Sequence, residues 1–299
     1  MGPVANLLNP YIAGSPVTDA KMFFGREDIF DWIQHSLAGQ FVDHILVIHG
    51  QRRVGKTSVL KQLPHRLPQH YVPVFFDLQG RTRTTLDRFL WWLAREIARV
   101  LKQDRQVILP LPEQEAFAQD LEYLESHFLP ELRRLLPDDN LLLTFDEFDT
   151  LEDEEARETL GRPLTETLRR LMGREGLNFI FSIGSSGRKL ENMQASYTEF
   201  FKAALYKKVS FLGRQEAYNL IARPVEGVLE YQGDAVEAIY GISSGHPYFT
   251  QLVCHELFAL CQKTGRRTVN SSDVTGVLDE VVERGTVNLK FVWDEASDL

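Results

Sequence analysis

Gly50-Gln51-Arg52-Arg53-Val54-Gly55-Lys56-Thr57 has the residue types and spacing of a phosphate-binding loop. An apolar run, Ile45 to Ile48, precedes it and a helical pattern follows it, the setting such a loop requires. Backbone N–H groups from Gln51 to Ser58 can curl around a β-phosphate, and the helix opening near Lys56 points its positive end at the same anion. Lys56 is the residue type that neutralises β- and γ-oxygens, and the Thr57 hydroxyl takes a Mg²⁺ position. The implied chemistry is binding of a nucleoside triphosphate.

A second group, Asp146-Glu147, closes the apolar run Leu141 to Phe145. Asp146 is expected to hold Mg²⁺ through water, and Glu147 to polarise an attacking water. Alone, the pair reads equally well as an acidic strand end; beside the Gly50 loop, the functional reading is preferred. Glu beside the magnesium Asp is the mark of hydrolysing P-loop ATPases rather than small-molecule kinases. With no guanine-reading Asn-Lys-x-Asp in the chain, the expected cofactors are ATP/ADP and Mg²⁺. Asp149 is read as a cap for the acidic helix at Glu152 to Glu158. Ser185 or Ser186 could sense a γ-phosphate and Arg188 could contact it or a neighbouring subunit; the alternative is a Gly/Ser turn.

Positioning these groups calls for parallel strands that end at one edge. Five runs qualify: Ile45 to Ile48, Val72 to Phe76, Leu141 to Phe145, Phe179 to Ile183 and Tyr206 to Phe211. Helical patterns alternate with them at Arg26 to Ala38, Leu86 to Leu101 and Glu113 to Leu136. Trp91-Trp92 is read as core with one exposed edge. Beyond Gly213 four helices are expected, Arg214 to Ala222, Ala235 to Ile242, Pro247 to Gln262 and Ser272 to Glu283. The fold class is therefore α/β: a five-stranded parallel P-loop (ASCE/AAA+-like) sheet flanked by helices, followed by an all-helical lid. The expected domains are a preamble over 1–24, a core over 25–212 and a lid over 213–285. An amphipathic 3-4-3 pattern at Leu289, Val292, Ala296 and Leu299 makes 286–299 the expected start of a further domain, a winged helix being one candidate.

Apolar content of 43% and charged content of 25% place the chain among globular proteins. No apolar run approaches the ~20 residues that span a bilayer. Cys254 and Cys261, seven apart on one predicted helix face, read as small apolar residues of a reducing cytoplasm. A net charge of −9 argues against a basic nucleic-acid surface over the whole chain while leaving room for a local patch.

Four segments in order, Phe24-Gly25-Arg26-Glu27, Gly50 to Thr57, Thr144 to Asp149 and Ser244-Gly245-His246-Pro247-Tyr248-Phe249, together resemble the STAND class. These are signal-transduction ATPases with numerous domains, a branch of the AAA+-like ATPases. The chain is also similar to archaeal and bacterial ATPases related to the origin-recognition family. The resemblance implies that Pro10-Tyr11 through Gly25-Arg26 packs around adenine. It implies that Gly245-His246-Pro247 is the lid element whose proline contacts the nucleotide, where many AAA+ proteins have a second sensor arginine. His246-Pro247 is also a helix start with proline at its first position. No arginine finger is identified; Arg169, Arg170 and Arg174 could face a neighbour or form a solvated basic face. The function implied is a regulatory switch, ADP-closed and ATP-open, that self-associates and signals to domains beyond this chain. The alternative is an origin-recognition-like DNA-binding loader, and the third reading is a small-molecule phosphotransferase.

Overall fold

A run such as Ile45-Leu46-Val47-Ile48 has no polar face, so its strand must be covered on both sides. In the computed structural model it forms β1 (Ile45–Gly50), with those four side chains at most 2% exposed. The structure describes residues 7–39, 45–184 and 187–297. Helix α1 (Glu27–Ala38) precedes β1. After it come α2 (Lys56–Arg66), β2 (Tyr71–Asp77), α3 (Leu86–Asp104), α4 (Gln114–Gln119), α5 (Leu129–Leu135) and β3 (Asn140–Asp146). Next are α6 (Glu154–Ala156), α7 (Arg162–Leu171), β4 (Leu177–Gly184), α8 (Gly187–Ser196), α9 (Thr198–Phe201) and β5 (Ala204–Lys208). The strands form one parallel sheet of order β2-β3-β4-β1-β5, so β4 stands between the loop strand and the strand carrying Asp146. In register, Asp77 at the end of β2 lies opposite Asp146 at the end of β3.

The chain divides into two compact units. Asp28–His49 with Leu63–Lys208 form the sheet unit. Its core is aromatic: Phe145 stacks on Phe181 at 5.4 Å, and Phe148 meets Phe181 edge-on at 4.5 Å. Trp91 and Trp92 are half-buried, the former donating from its indole N–H to the Pro112 carbonyl at 3.1 Å.

Met1–Glu27, Gly50–Gln62 and Val209–Leu299 form the other, the loop unit. Its C-terminal part contains α10 (Arg214–Ala222), β6 (Glu230–Tyr231), α11 (Gly233–Ser243), α12 (Pro247–Thr264), β7 (Thr268–Val269), α13 (Ser271–Gly276) and α14 (Leu278–Ser297). Leu252, Val253, Leu257 and Phe258 of α12 anchor its core, with Cys254 and Cys261 buried and unbridged among them.

Four elements differ from the sequence expectation. The lid is not wholly helical, since β6 and β7 pair in parallel; two-residue strands carry no periodic signal. The stretch Glu113 to Leu136 breaks at Asp120, whose carboxylate accepts from the Glu122 N–H at 2.9 Å and so competes with the helix. Strand β5 ends at Lys208 rather than Phe211; Phe211 packs instead on His246, with ring centroids 5.0 Å apart. The helix expected to stop at Glu283 ends first at Gly276, a weak helix former, and α14 then runs to Ser297.

Candidate functional site

Strand β1 ends at Gly50, and the loop it enters leads into α2 at Lys56. Gly50 admits no side chain, because a Cβ there would lie 2.4 Å from the Val209 carbonyl oxygen. Gly55 has φ +103°, strained for any L side chain. Arg53 takes the left-handed region too, at φ +63°, which costs a non-glycine residue about 1 kcal/mol or more. Its guanidinium donates to the Gly14 carbonyl and, at 3.3 Å, to Asn288 Oδ1, and lies 5.5 Å from the Tyr248 ring centroid. Lys56 is only 6% exposed, and its Nζ donates to the Gly50 and Gln51 carbonyls at 2.9 and 3.1 Å. A buried ammonium folded over its own loop is well matched to an anion.

The preamble is laced to this loop. Arg26, at φ +77°, donates from Nη2 to the Val54 carbonyl at 2.9 Å. Gly25 leaves no space either: a Cβ would come within 2.6 Å of Glu216 Cγ. Ser58 Oγ accepts from the Val17 N–H at 3.0 Å, and Gln62 Nε2 donates to the Val17 and Thr18 carbonyls at 3.2 and 3.0 Å. At its other end the preamble is fastened to lid helices. Ile12 N donates to Gln251 Oε1 at 3.1 Å and Asn9 Nδ2 to the His255 carbonyl at 3.0 Å. Tyr11, expected beside adenine, is 1% exposed within the lid core, its hydroxyl donating to the Ile221 carbonyl.

The lid element begins with Ser244 at φ +50° and Gly245 at φ +75°. Gly245 packs so closely that a Cβ would lie 2.2 Å from the Leu212 carbonyl. Pro247 is the first residue of α12. His246 is 2% exposed between Phe211 and Phe249, and neither ring nitrogen makes a hydrogen bond of ordinary geometry among the described residues. Burial, with the Arg26 charge adding to it and the Arg52 backbone opposing, pulls its pKa down to about 4.

In the sheet unit, Asp146 ends β3 at 2% exposure. Glu147 then turns left-handed at φ 53°, ψ 42°, and its carbonyl accepts from the Thr150 N–H and hydroxyl at 3.0 and 2.7 Å. Asp149 does not cap the acidic helix: the residue before α6 is Asp153, and Asp149 Oδ1 accepts from the Gly184 N–H at 3.0 Å. A carboxylate two residues beyond Glu147 thus holds the end of β4, a role its helix-capping spacing concealed. Arg170 and Arg174 both bind Glu125, at 2.9 and 3.1 Å, so they are engaged within the chain; Arg169 is exposed. Ser185 and Ser186 lie outside the described residues.

The profile of a known family, described as AAA domain, matches residues 40–190, just over half the chain, including both the loop and Asp146-Glu147. The chain belongs to the AAA domain family. It is a P-loop ATPase. No curated protein sequence matches this AAA domain chain. Its fold is similar to the Walker-type ATPase of Pyrococcus abyssi, at TM-score 0.65 and 18% identity, over 95% of this chain and 78% of that one. It is also similar to the Aeropyrum pernix ORC2 protein in its ADPNP-ADP complexes, at TM-score 0.59 and 13% identity over 91% and 71% of the two chains. The Aeropyrum pernix ORC1 protein in complex with DNA gives 0.54 and 16%, over 93% and 68%. At these identities the likeness is one of fold.

The loop of this AAA domain fits a nucleotide: Gly50 and Gly55 keep the cradle free of side chains, and the Lys56 ammonium is already turned onto it. Among the described residues no three His, Cys, Asp or Glu gather as a metal cluster. Mg²⁺ does not need one, since it keeps waters and phosphate oxygens and takes one or two protein ligands. No helix among the described residues is long and apolar enough to cross a membrane. The contacts from Tyr248 and Asn288 to Arg53 escape sequence reading, because nothing in a local pattern links residues so far apart.

Proposed function

We propose that this AAA domain is the regulatory ATPase switch of a STAND-class protein, closed with ADP, open with ATP and self-associating when open. The observation that carries this reading is the lacing of the preamble to both the loop helix and the lid, through Ser58, Gln62, Ile221 and Gln251. A lid fastened to the loop through one strap gives the nucleotide a closed state to stabilise, as a two-state switch requires.

Within this proposal, Gly50 to Gly55 and Ser58 enclose the phosphates and Lys56 neutralises them. Thr57 and Asp146 hold Mg²⁺, and Ser185 senses the γ-phosphate. Tyr11, Gly25 and Arg26 set the preamble against adenine, with His246 and Pro247 closing from the lid. Glu147 takes the proton of the attacking water on its carboxylate, which requires that carboxylate to be ionised near pH 7. When bound, ATP and its metal supply the phosphoanhydride and the charge that orders the site. The proposal keeps the division into preamble 1–24, core 25–212 and lid 213–285, with a cytoplasmic setting for the two free thiols; residues 286–297, expected to open a further domain, instead continue α14 within the loop unit.

The likeness in fold to the Aeropyrum pernix ORC1 protein in complex with DNA supports a second reading, a DNA-binding loader. Light scattering with ADP and with a slowly hydrolysed ATP analogue tests the switch. Assembly with the analogue alone is expected; equal mass in both states overturns the switch. Salt-sensitive, DNA-stimulated hydrolysis favours the loader.

A further inference from the structure

Two exposed arginines, Arg52 and Arg53, occupy the middle of the phosphate loop, and one distant helix meets both. Asn288 of α14 accepts from Arg53 Nε at 3.3 Å and donates from Nδ2 to the Tyr248 hydroxyl at 2.9 Å. The Tyr248 ring in turn lies beside the Arg53 guanidinium, 5.5 Å from centroid to carbon. Three residues further along α14, the Phe291 ring lies 4.4 Å from the Arg52 guanidinium carbon. Residues three apart share a helix face. The start of that helix is pinned to the lid, with Val281 in the lid core and Arg284 bonded to buried Glu256 of α12 at 3.0 Å. Helix α14 therefore spans from the lid core to the loop arginines, all within the loop unit.

Glycine would sit at φ +63° without strain; this chain has arginine there, and only its surroundings can offset the cost. The partners supplied are Gly14, Tyr248 and Asn288. We propose that Asn288 and Phe291 are positioning residues for the phosphate loop: they hold Arg53 and Arg52 so that the cradle is formed before nucleotide arrives. This rests on the reading of Gly50–Thr57 as the nucleotide site. A loop that adopts its competent shape a fraction of the time binds more weakly by that fraction. By reciprocity, nucleotide in the loop tightens α14 against it, so the helix reports occupancy to whatever it contacts.

Calorimetric titration of the full chain with ADP tests the proposal. Phe291→Ala and Asn288→Ala are each expected to weaken ADP about fivefold. Phe291→Trp should restore binding, because a stacking ring remains for Arg52. Combining Arg52→Ala with Phe291→Ala should lose no more than either alone, since both remove one contact. Phe291 is 41% exposed, so its truncation leaves the core intact. Wild-type affinity in both alanine variants, with Lys56→Ala unable to bind, overturns the positioning role and spares the nucleotide site. Multiplying losses in the double variant also overturn it. Undiminished binding by Lys56→Ala removes the nucleotide reading and this inference with it.

Discussion

Arg53 in the phosphate loop and Glu147 at the end of β3 both hold left-handed backbone without being glycine, but they are held in different ways. Arg53 is exposed and kept in place by its side chain, through Gly14, Tyr248 and Asn288, which are scattered over the whole chain. Glu147 is half-buried and kept in place by its own turn, where Thr150 donates twice to its carbonyl between the buried Phe148 and Asp149. The shape of the loop thus depends on preamble and lid, whereas the shape of the strand end is local. Changes in the lid should therefore alter how nucleotide is held and leave the Glu147 turn as it is.

The largest effect expected is on the loop side. Lys56→Ala removes the buried ammonium and should cost about 4 kcal/mol of nucleotide affinity, roughly a thousandfold. Calorimetry with ADP reads this directly; wild-type affinity would dissolve the comparison by removing one of its sides. Next is the buried imidazole. His246 has a folded-state pKa of about 4 against an ordinary 6.5, so the unfolded chain binds the extra proton between those values. The stability carried by the neutral ring is complete above pH 6.5 and is lost as pH falls toward 4, by about 3 kcal/mol at the lower limit. Urea unfolding at pH 7 and pH 4 should show this loss, and His246→Gln should abolish that part of it; an unchanged pH profile in the variant would remove the buried ring as its cause.

On the strand side, Glu147→Gln keeps the turn and removes the carboxylate proposed as the base. Hydrolysis should fall about 10²-fold with ADP affinity unchanged. A matching fall in affinity would mean that the strand end also shapes binding, against the local character of its turn.

Much of the candidate site was legible because each group proposed for it announces itself locally. Gly50, Gly55, Lys56 and Thr57 form one pattern, and Asp146-Glu147 ends one apolar run. The continuous burial of Ile45 to Ile48 follows from composition alone. What escaped has long-range causes. Asp149 has the spacing of a cap, yet its partner is Gly184 on another strand. The Tyr11 hydroxyl reaches the Ile221 carbonyl, a contact between distant parts of the chain that no local pattern announces. The parallel pair β6-β7 is too short for any period, and the ties from α14 to the loop arise only once the lid has folded.

Asp149 provides the smallest and most discriminating test of the contrast between the two regions. Its Oδ1 accepts from the Gly184 N–H at 3.0 Å at a site 5% exposed. Asp149→Ala leaves that half-buried donor without this acceptor, at a cost of about 1 kcal/mol. Asp149→Asn keeps an acceptor oxygen and should lose less. If the strand edge is held locally, the alanine variant should lower the urea midpoint and slow hydrolysis while ADP affinity stays at the wild-type value. A fall in ADP affinity of the same size as the fall in stability would show that the loop and the strand edge are shaped together, and the division drawn from Arg53 and Glu147 would not hold.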